Sequence, residues 1–318
     1  MTCYRGRKAG RVTSILIVHP DRKTQRTMQR VLAITGYTVD LADTLGQGIE
    51  RLASSPLLVV IEGKAAVTPE GEAFLTAARA AGAEACMTLI GESSDKIPQV
   101  LGHGAVTNLL VHPMPVLGEE LTVTVQKLIR RDLFGAEKYL LWGTEMHTHT
   151  ITRGSQRSKL VERLADDVKA RGQTPRVASM AMLVADELIS NAVHNAAVDR
   201  DGKRFRKDIP RDVEIELADH ETVRLRWGCD ARYLAVEVSD PYGSLDRDTI
   251  LGALAHHEVS ESGAGAGMGI ALAYRSCDHL VFNLSPGKRT EIIALIDVRS
   301  SPSERTPVSS YNVFVERP

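Results

Sequence analysis

The stretch Gly263-Ala264-Gly265-Ala266-Gly267-Met268-Gly269-Ile270 sets a glycine at every second position. That spacing suits neither a helix interior nor a packed strand, because glycine weakens both. It reads as a backbone-exposing loop leading into a helix that begins near Met268. Amide groups left open by glycines at a helix N-terminus form an anion site. Taken alone, the same run also reads as a flexible linker, so the residues upstream have to decide.

Two upstream segments do so. On a helix expected over 176–197, Glu187 and Asn191 are four residues apart and share a face. An Asn in an apolar helix has low propensity and needs a partner, which a core contact or a ligand can supply. As a ligand residue, Asn191 offers an amide oxygen to magnesium, an ion that takes few protein oxygens beside phosphates and water. Glu187 is then the candidate base. At the end of the alternating strand Leu234, Val236, Val238 comes Ser239-Asp240-Pro241-Tyr242-Gly243. These are ordinary turn residues. They also offer a carboxylate for an exocyclic amine, beside a Gly243 that lets a flat ring approach, and an adenine meets both conditions. The order helix Asn, strand-end Asp-x-x-Gly, variable loop, glycine run and late-strand Thr290 is hard to obtain by chance.

Around these motifs, the text from 139 onward predicts an α+β unit. Helices are expected over 155–170 and 176–197. Alternating strands follow at Val213, Ile215 and Leu217, at Val223, Leu225 and Trp227, and at Leu234, Val236 and Val238, each with one buried face. A helix over 270–277 and two further strands complete a mixed sheet with helices packed on one side. Between 14 and 131 the grammar differs. Short apolar runs such as SILIV and LLVVI alternate with helical patterns, which is βαβ writing for a parallel sheet covered on both faces. The chain is accordingly read as a flexible 1–13, a doubly wound α/β domain at 14–132, an α/β-sandwich domain at 133–298 and a flexible Ser/Pro-rich tail at 299–318, within which the short apolar patch Tyr311 to Val315 is left open to docking.

Composition narrows the partners. With 318 residues the chain has room for two modules, and 39 Lys+Arg against 40 Asp+Glu give no global field to recruit nucleic acid or an anionic membrane. The four cysteines, Cys3, Cys86, Cys229 and Cys277, lack the paired spacing of a zinc site or a disulfide framework. Neither a membrane span nor a signal-peptide core is visible, and a soluble, cytoplasmic protein is expected. The cluster Arg200, Lys203, Arg204, Arg206 and Lys207 either assists with phosphate charge or forms a solvated loop. His194 either touches a phosphate or sits on a helix surface. His147 and His149 share one strand face and read as surface or pairing histidines.

On these motifs, residues 136–298 resemble the Bergerat-fold (GHKL) ATPase domain of histidine kinases, anti-sigma-factor serine kinases, gyrase and related proteins. The N box is matched by Glu187-Leu188-Ile189-Ser190-Asn191-Ala192, the first glycine box by Asp240 through Gly243, and the second by Gly265-Ala266-Gly267-Met268-Gly269. The resemblance implies that ATP and magnesium are bound. Asn191 would hold the metal, Asp240 the adenine amine, and Gly265, Gly267 and Gly269 the phosphates, with Thr290 supporting the adenine pocket and 244–262 forming the mobile lid. The basic and aromatic residues that often follow the N-box Asn are replaced by His194 and Asn195, and the lid has no phenylalanine box.

Residues 14–131 resemble the response-regulator receiver in pattern more than in chemistry. Where a receiver carries an acidic pair, an Asp phosphoacceptor and a Lys before Pro, this chain has His19-Pro20-Asp21, Glu62 and His112-Pro113. The acylphosphate chemistry is therefore expected to be lost. Glu62 stands either for a permanently activated state or for nothing beyond a degenerate binding or dimerisation module. No phosphoacceptor hairpin precedes the ATPase-like segment, and the arrangement looks closest to anti-sigma-factor serine kinases, which bind ATP and a protein partner. Two functions stay open: phosphoryl transfer from ATP to a protein partner, as a serine or histidine kinase, or nucleotide sensing by a non-catalytic binding module. A homodimer is the other partner expectation, with the helix at 116–131 as its surface.

Overall fold

Five short apolar runs build the first half. The computed structural model describes residues 14–89, 106–111, 116–199, 201–210, 213–255, 268–299 and 309–316. The strands are β1 (Ser14–Val18), β2 (Thr38–Ala42), β3 (Leu58–Glu62), β4 (Ala85–Leu89) and β5 (Asn108–Leu110). They pair in parallel in the order β2-β1-β3-β4-β5, the flavodoxin-like doubly wound arrangement. The helices between them start where small polar residues cap the chain. Asp21 caps α1 (Arg22–Ala33), Thr44 caps α2 (Leu45–Arg51), and Thr68 with Pro69 opens α4 (Pro69–Ala80), which follows a single turn α3 (Gly63–Ala66). The half closes with α5 (Val116–Arg130).

The second half is an antiparallel sheet in the order β9-β10-β8-β7-β6, built from β6 (His147–Ile151), β7 (Val223–Cys229), β8 (Tyr233–Asp240), β9 (His279–Ser285) and β10 (Arg289–Asp297). On one face pack α6 (Gln156–Ala170), α7 (Pro175–Ser190), α8 (Arg247–Ala255) and α9 (Met268–Arg275). They bury Leu164, Val184, Leu188 and Ile270 against Leu225, Trp227, Val236 and Ile292. The expected strand at Val213, Ile215 and Leu217 is instead an irregular segment. It makes only an isolated bridge, Arg153 to Glu216, because the strand it follows turns into α6 within a few residues.

Two expectations are corrected by the way the halves meet. Residues 310–315, read as part of a flexible tail, form a buried strand, β11 (Ser310–Val315). It pairs antiparallel with β5 and parallel with β9, so that the eleven strands of the described residues make one sheet. Helix α5, offered as a homodimer surface, buries Leu121, Val125 and Leu128 within the chain and contacts β9 through Lys127. It therefore does not present the expected face. Together with 133–140 it covers the second face of β8, β9 and β10, so those strands are buried on both sides rather than on one. The segments 1–13, 300–308 and 317–318 lie outside the described residues.

Phe314 on β11 is 2% exposed, and the Lys127 ammonium lies 4.3 Å from its ring centre. Phe314→Ala should destabilise the chain by about 3 kcal/mol, as for other buried Phe truncations. Urea unfolding checks this, and an unchanged midpoint would show the strand to be undocked.

Candidate functional site

Helix α7 gives way at Asn191 to a π-helical turn, Asn191–Asn195, in which Ala196 N donates to Asn191 O at 2.9 Å. Such single π turns widen a helix locally and recur at functional positions. Asn191 Oδ1 accepts from Asn195 Nδ2 at 2.8 Å, while the buried Asn191 Nδ2 has no protein partner. The amide is satisfied at one end only. Rotating both amides would let Asn191 Nδ2 donate to Asn195 Oδ1 and turn the Asn191 oxygen towards the first turn of α9, where it is available to a cation.

Nδ2 faces the first turn of α9. A Cβ placed on Gly269 would lie 2.6 Å from Glu187 Oε2 and 2.8 Å from Asn191 Nδ2, so any larger residue there would have to displace the ends of both side chains. Glu187, Asn191 and Gly269 are thus brought together, as their sequence pattern suggested. Gly265 and Gly267, together with Gly263 and residues 256–262 of the lid, lie outside the described residues.

Asp240 ends β8 directly opposite Thr290 on β10, and both are buried, at 6% and 2% exposed. Asp240 Oδ1 accepts from the amides of Tyr242 at 2.9 Å and Gly243 at 3.4 Å. Burial pushes the Asp240 carboxyl up to about 6, against the pull of those two amides. A carboxylate held near neutrality at the end of a strand, facing a buried hydroxyl, is a recognisable binding arrangement. Gly243 has a structural requirement of its own: φ is +58° and a built Cβ would lie 2.2 Å from Ser285 O, at the β9–β10 turn.

Ser244 Oγ donates to Ala196 O at 2.7 Å and ties the Asp240 turn to the end of the π turn, so the two halves of the site share one rim. Arg206, read within a basic cluster, is spent internally. It pairs with Glu221 at 2.7 Å and donates to Tyr242 Oη at 3.1 Å, while Tyr242 Oη donates to Glu221 at 3.0 Å. Glu221, Tyr242 and Ser244 were not singled out from sequence. Tyr242 stood inside Asp-Pro-Tyr-Gly, but its partners are distant in the chain. His194 is buried at 7% exposure and not on the helix surface. His147 and His149 both stack on Trp227, at 5.3 and 4.9 Å between ring centres. Among the described residues no group of three or more His, Cys, Asp and Glu could hold a metal ion.

At the C-terminal ends of the parallel strands, the carboxyl groups are helix caps. Asp21 accepts from Lys23 N, Thr24 N and Thr24 Oγ1, and the Thr24 hydroxyl foremost lowers its pKa. His19 Nδ1 accepts from Asp21 N at 3.0 Å, and Glu62 accepts from Ala65 N at 3.1 Å to cap α3. His112 lies outside the described residues. Among those described, no helix is long and apolar enough to cross a membrane.

No family model matches the chain, and no curated protein matches it. Solved structures similar to part of it include the signal receiver domain of an HD domain-containing protein from Pseudomonas fluorescens Pf-5. It is 19% identical and covers 40% of this chain and 94% of its own, with a TM-score of 0.33. A response regulator receiver protein from Sinorhizobium medicae WSM419 is 18% identical over 37% of this chain and 95% of its own, with a TM-score of 0.31. A two-component response regulator from Clostridium difficile is 21% identical over 37% of this chain and 97% of its own, with a TM-score of 0.30. The doubly wound character of the first half rests on its own strand order.

Because the folded Asp240 carboxyl sits above its ordinary 3.8, the folded state holds the proton more tightly than the unfolded chain does. Its favourable contribution is complete below about pH 4 and is lost as pH rises through about 6. Asp240→Asn keeps an oxygen for both amides and removes the buried ionisation. Its unfolding midpoint at about pH 7 should equal or exceed that of the unsubstituted chain, with the difference closing towards about pH 4. Thermal melts across pH measure this, and a lowered midpoint at neutral pH would contradict it.

Proposed function

We propose that the second half binds Mg-ATP in a Bergerat-type site and that the chain is a signalling protein that uses this site to regulate a protein partner. The carrying observation is the approach of α9, through Gly269, onto Glu187 and Asn191, with the Asp240–Thr290 pair joined to the same rim by Ser244 and Ala196. In this reading Asp240 accepts the adenine amine, with Thr290 beside it. The N-terminal amides of α9 face the phosphates, where a helix end favours negative charge. Asn191, with its half-satisfied amide, is the protein ligand for magnesium. The metal, when bound, neutralises phosphate charge. Glu187 is the residue placed to accept a proton from an attacking hydroxyl, which makes phosphorylation of the partner the catalytic version of the function.

The first half is proposed as an interaction module in the manner of a receiver without phosphoryl chemistry. Its strand order and the positions of Asp21 and Glu62 support that likeness, and the use of both carboxyl groups as caps argues against phosphate transfer at this end. The same observation favours the second reading, a non-catalytic nucleotide sensor in which binding changes the surface offered to its partner.

Calorimetric titration with ATP, with and without magnesium, tests the common core of both readings. Asn191→Ala should abolish the magnesium-dependent part of the affinity. Affinity should also rise with pH through about 6, as Asp240 becomes the ionised acceptor. Equal affinity of the variant and the unsubstituted chain would remove Asn191 from the site. Labelled ATP added with cell extract then separates the two readings, since binding without any labelled protein or released phosphate excludes the kinase.

A further inference from the structure

Behind the Asp240–Thr290 pair lies a set of buried charges that the site itself does not use. Strand alternation turns Thr290 towards the helices and its neighbour Glu291 towards the opposite face, where Glu291 is 0% exposed. Glu291 Oε1 accepts from Gly135 N at 2.8 Å and Asn283 Nδ2 at 2.8 Å, and its other oxygen pairs with Arg289. Asn283 Oδ1 in turn accepts from Lys127 Nζ at 2.8 Å, and Lys127 also donates to Tyr139 Oη at 3.0 Å. Lys127 belongs to α5 of the first half and is 2% exposed. On β8 the same device recurs. Glu237, 0% exposed and three residues before Asp240, accepts from Ala136 N at 2.9 Å and pairs with Arg226 at 3.0 Å.

Neither carboxylate could remain buried without these partners, because an unpaired buried charge is strongly unfavourable. Burial pushes the Lys127 amine well below the ordinary lysine range, and the nearby Glu291 carboxylate opposes that shift most. The helix that ends the first half and the segment that leaves it are therefore keyed onto the backs of three neighbouring strands, by two amides onto β8 and β10, which carry Asp240 and Thr290, and by a lysine onto Asn283 of β9.

We infer that Lys127 is a positioning residue for the nucleotide site. Through the relay Lys127–Asn283–Glu291 the first half holds β10 and β8 in the register that sets Thr290 opposite Asp240. This rests on the proposed nucleotide reading. Docking of the first half and nucleotide binding then stabilise each other, and linkage makes the effect reciprocal. A partner that pulls α5 and the segment after it away leaves Asn283 without Lys127 and Glu291 without the Gly135 amide. Strands β8 and β10 loosen at their shared end, and affinity falls at a site the partner never touches.

The test uses the full chain with Lys127→Met, Glu291→Gln and the double variant, together with the milder Tyr139→Phe, which removes one hydroxyl partner of Lys127. For variants with native circular dichroism, each of the first two should bind Mg-ATP about tenfold more weakly, a coupling of ordinary size. The double variant should be no weaker than the worse single, since both substitutions cut one relay. Amide exchange read without nucleotide should speed up at 238–240 and 289–292 in Lys127→Met, and by less in Tyr139→Phe. Unchanged exchange at those amides, or multiplying losses of affinity in the double variant, overturns the relay. Absence of nucleotide binding by the unsubstituted chain overturns the nucleotide reading, and with it the role of Lys127 at that site. The exchange measurement still decides whether Lys127 holds the register.

Discussion

The architecture depends on one buried polar row. Asn312 at the centre of β11 is 0% exposed; its Oδ1 accepts from Asn108 Nδ2 at 2.6 Å, and its own Nδ2 meets His279 Nε2 at 2.7 Å. His279 contacts Glu120 on α5 at 3.1 Å through its other nitrogen. A β-strand slipped by one residue exchanges its faces, so an apolar β11 would tolerate neighbouring registers poorly but not specify one of them uniquely. The row of Asn108, Asn312 and His279 does specify it, because any slip would bury unsatisfied amides. With that register fixed, β5 and β9 lie on either side of β11, α5 comes to rest across β9, and the buried carboxylates of β8 and β10 find their donors.

The two faces of the second sheet then divide the labour. The helix face holds the proposed nucleotide groups, Glu187, Asn191, Asp240, Gly269 and Thr290. The opposite face holds Glu237 and Glu291 under the segment 133–140. Successive residues of one strand serve the two purposes, since Thr290 and Glu291 are adjacent and point apart. A change in what covers the one face is felt one peptide unit away on the other.

Much of this was legible in the sequence where the signal was local. SILIV and LLVVI read as buried parallel strands and are β1 and β3, and the four-residue spacing of Glu187 and Asn191 did place both at the end of α7. Gly269 could be named from the alternating glycine run, though as a phosphate glycine; its contact with Glu187 and Asn191 is a matter of tertiary packing. What escaped was set by distant partners. Glu237 and Glu291 occupy the polar positions of alternating strands and read as solvent-facing, although both are fully buried. Residues 310–315 follow a Ser/Pro-rich stretch, and their apolar patch left docking open without naming a partner, because nothing nearby reveals that a strand 204 positions upstream awaits Asn312. Asp21 and Glu62 looked like remnants of a phosphorylation site, whereas each has local structural work as a helix cap.

The position of β11 in the chain also orders the events of folding. Residues 310–315 are synthesised after both elements they join, so any half-sheet that forms before them has an open edge, at β5 or at β9. Open edges of apolar strands are the sites at which chains pair wrongly with one another. Here the edge of β5 is only three residues long, and His279, Asn283 and Asn108 place polar side chains along the two exposed rims. The same polar residues that select the register of the finished sheet thus make its unfinished edges poor templates for a neighbouring chain while the closing strand is still being made.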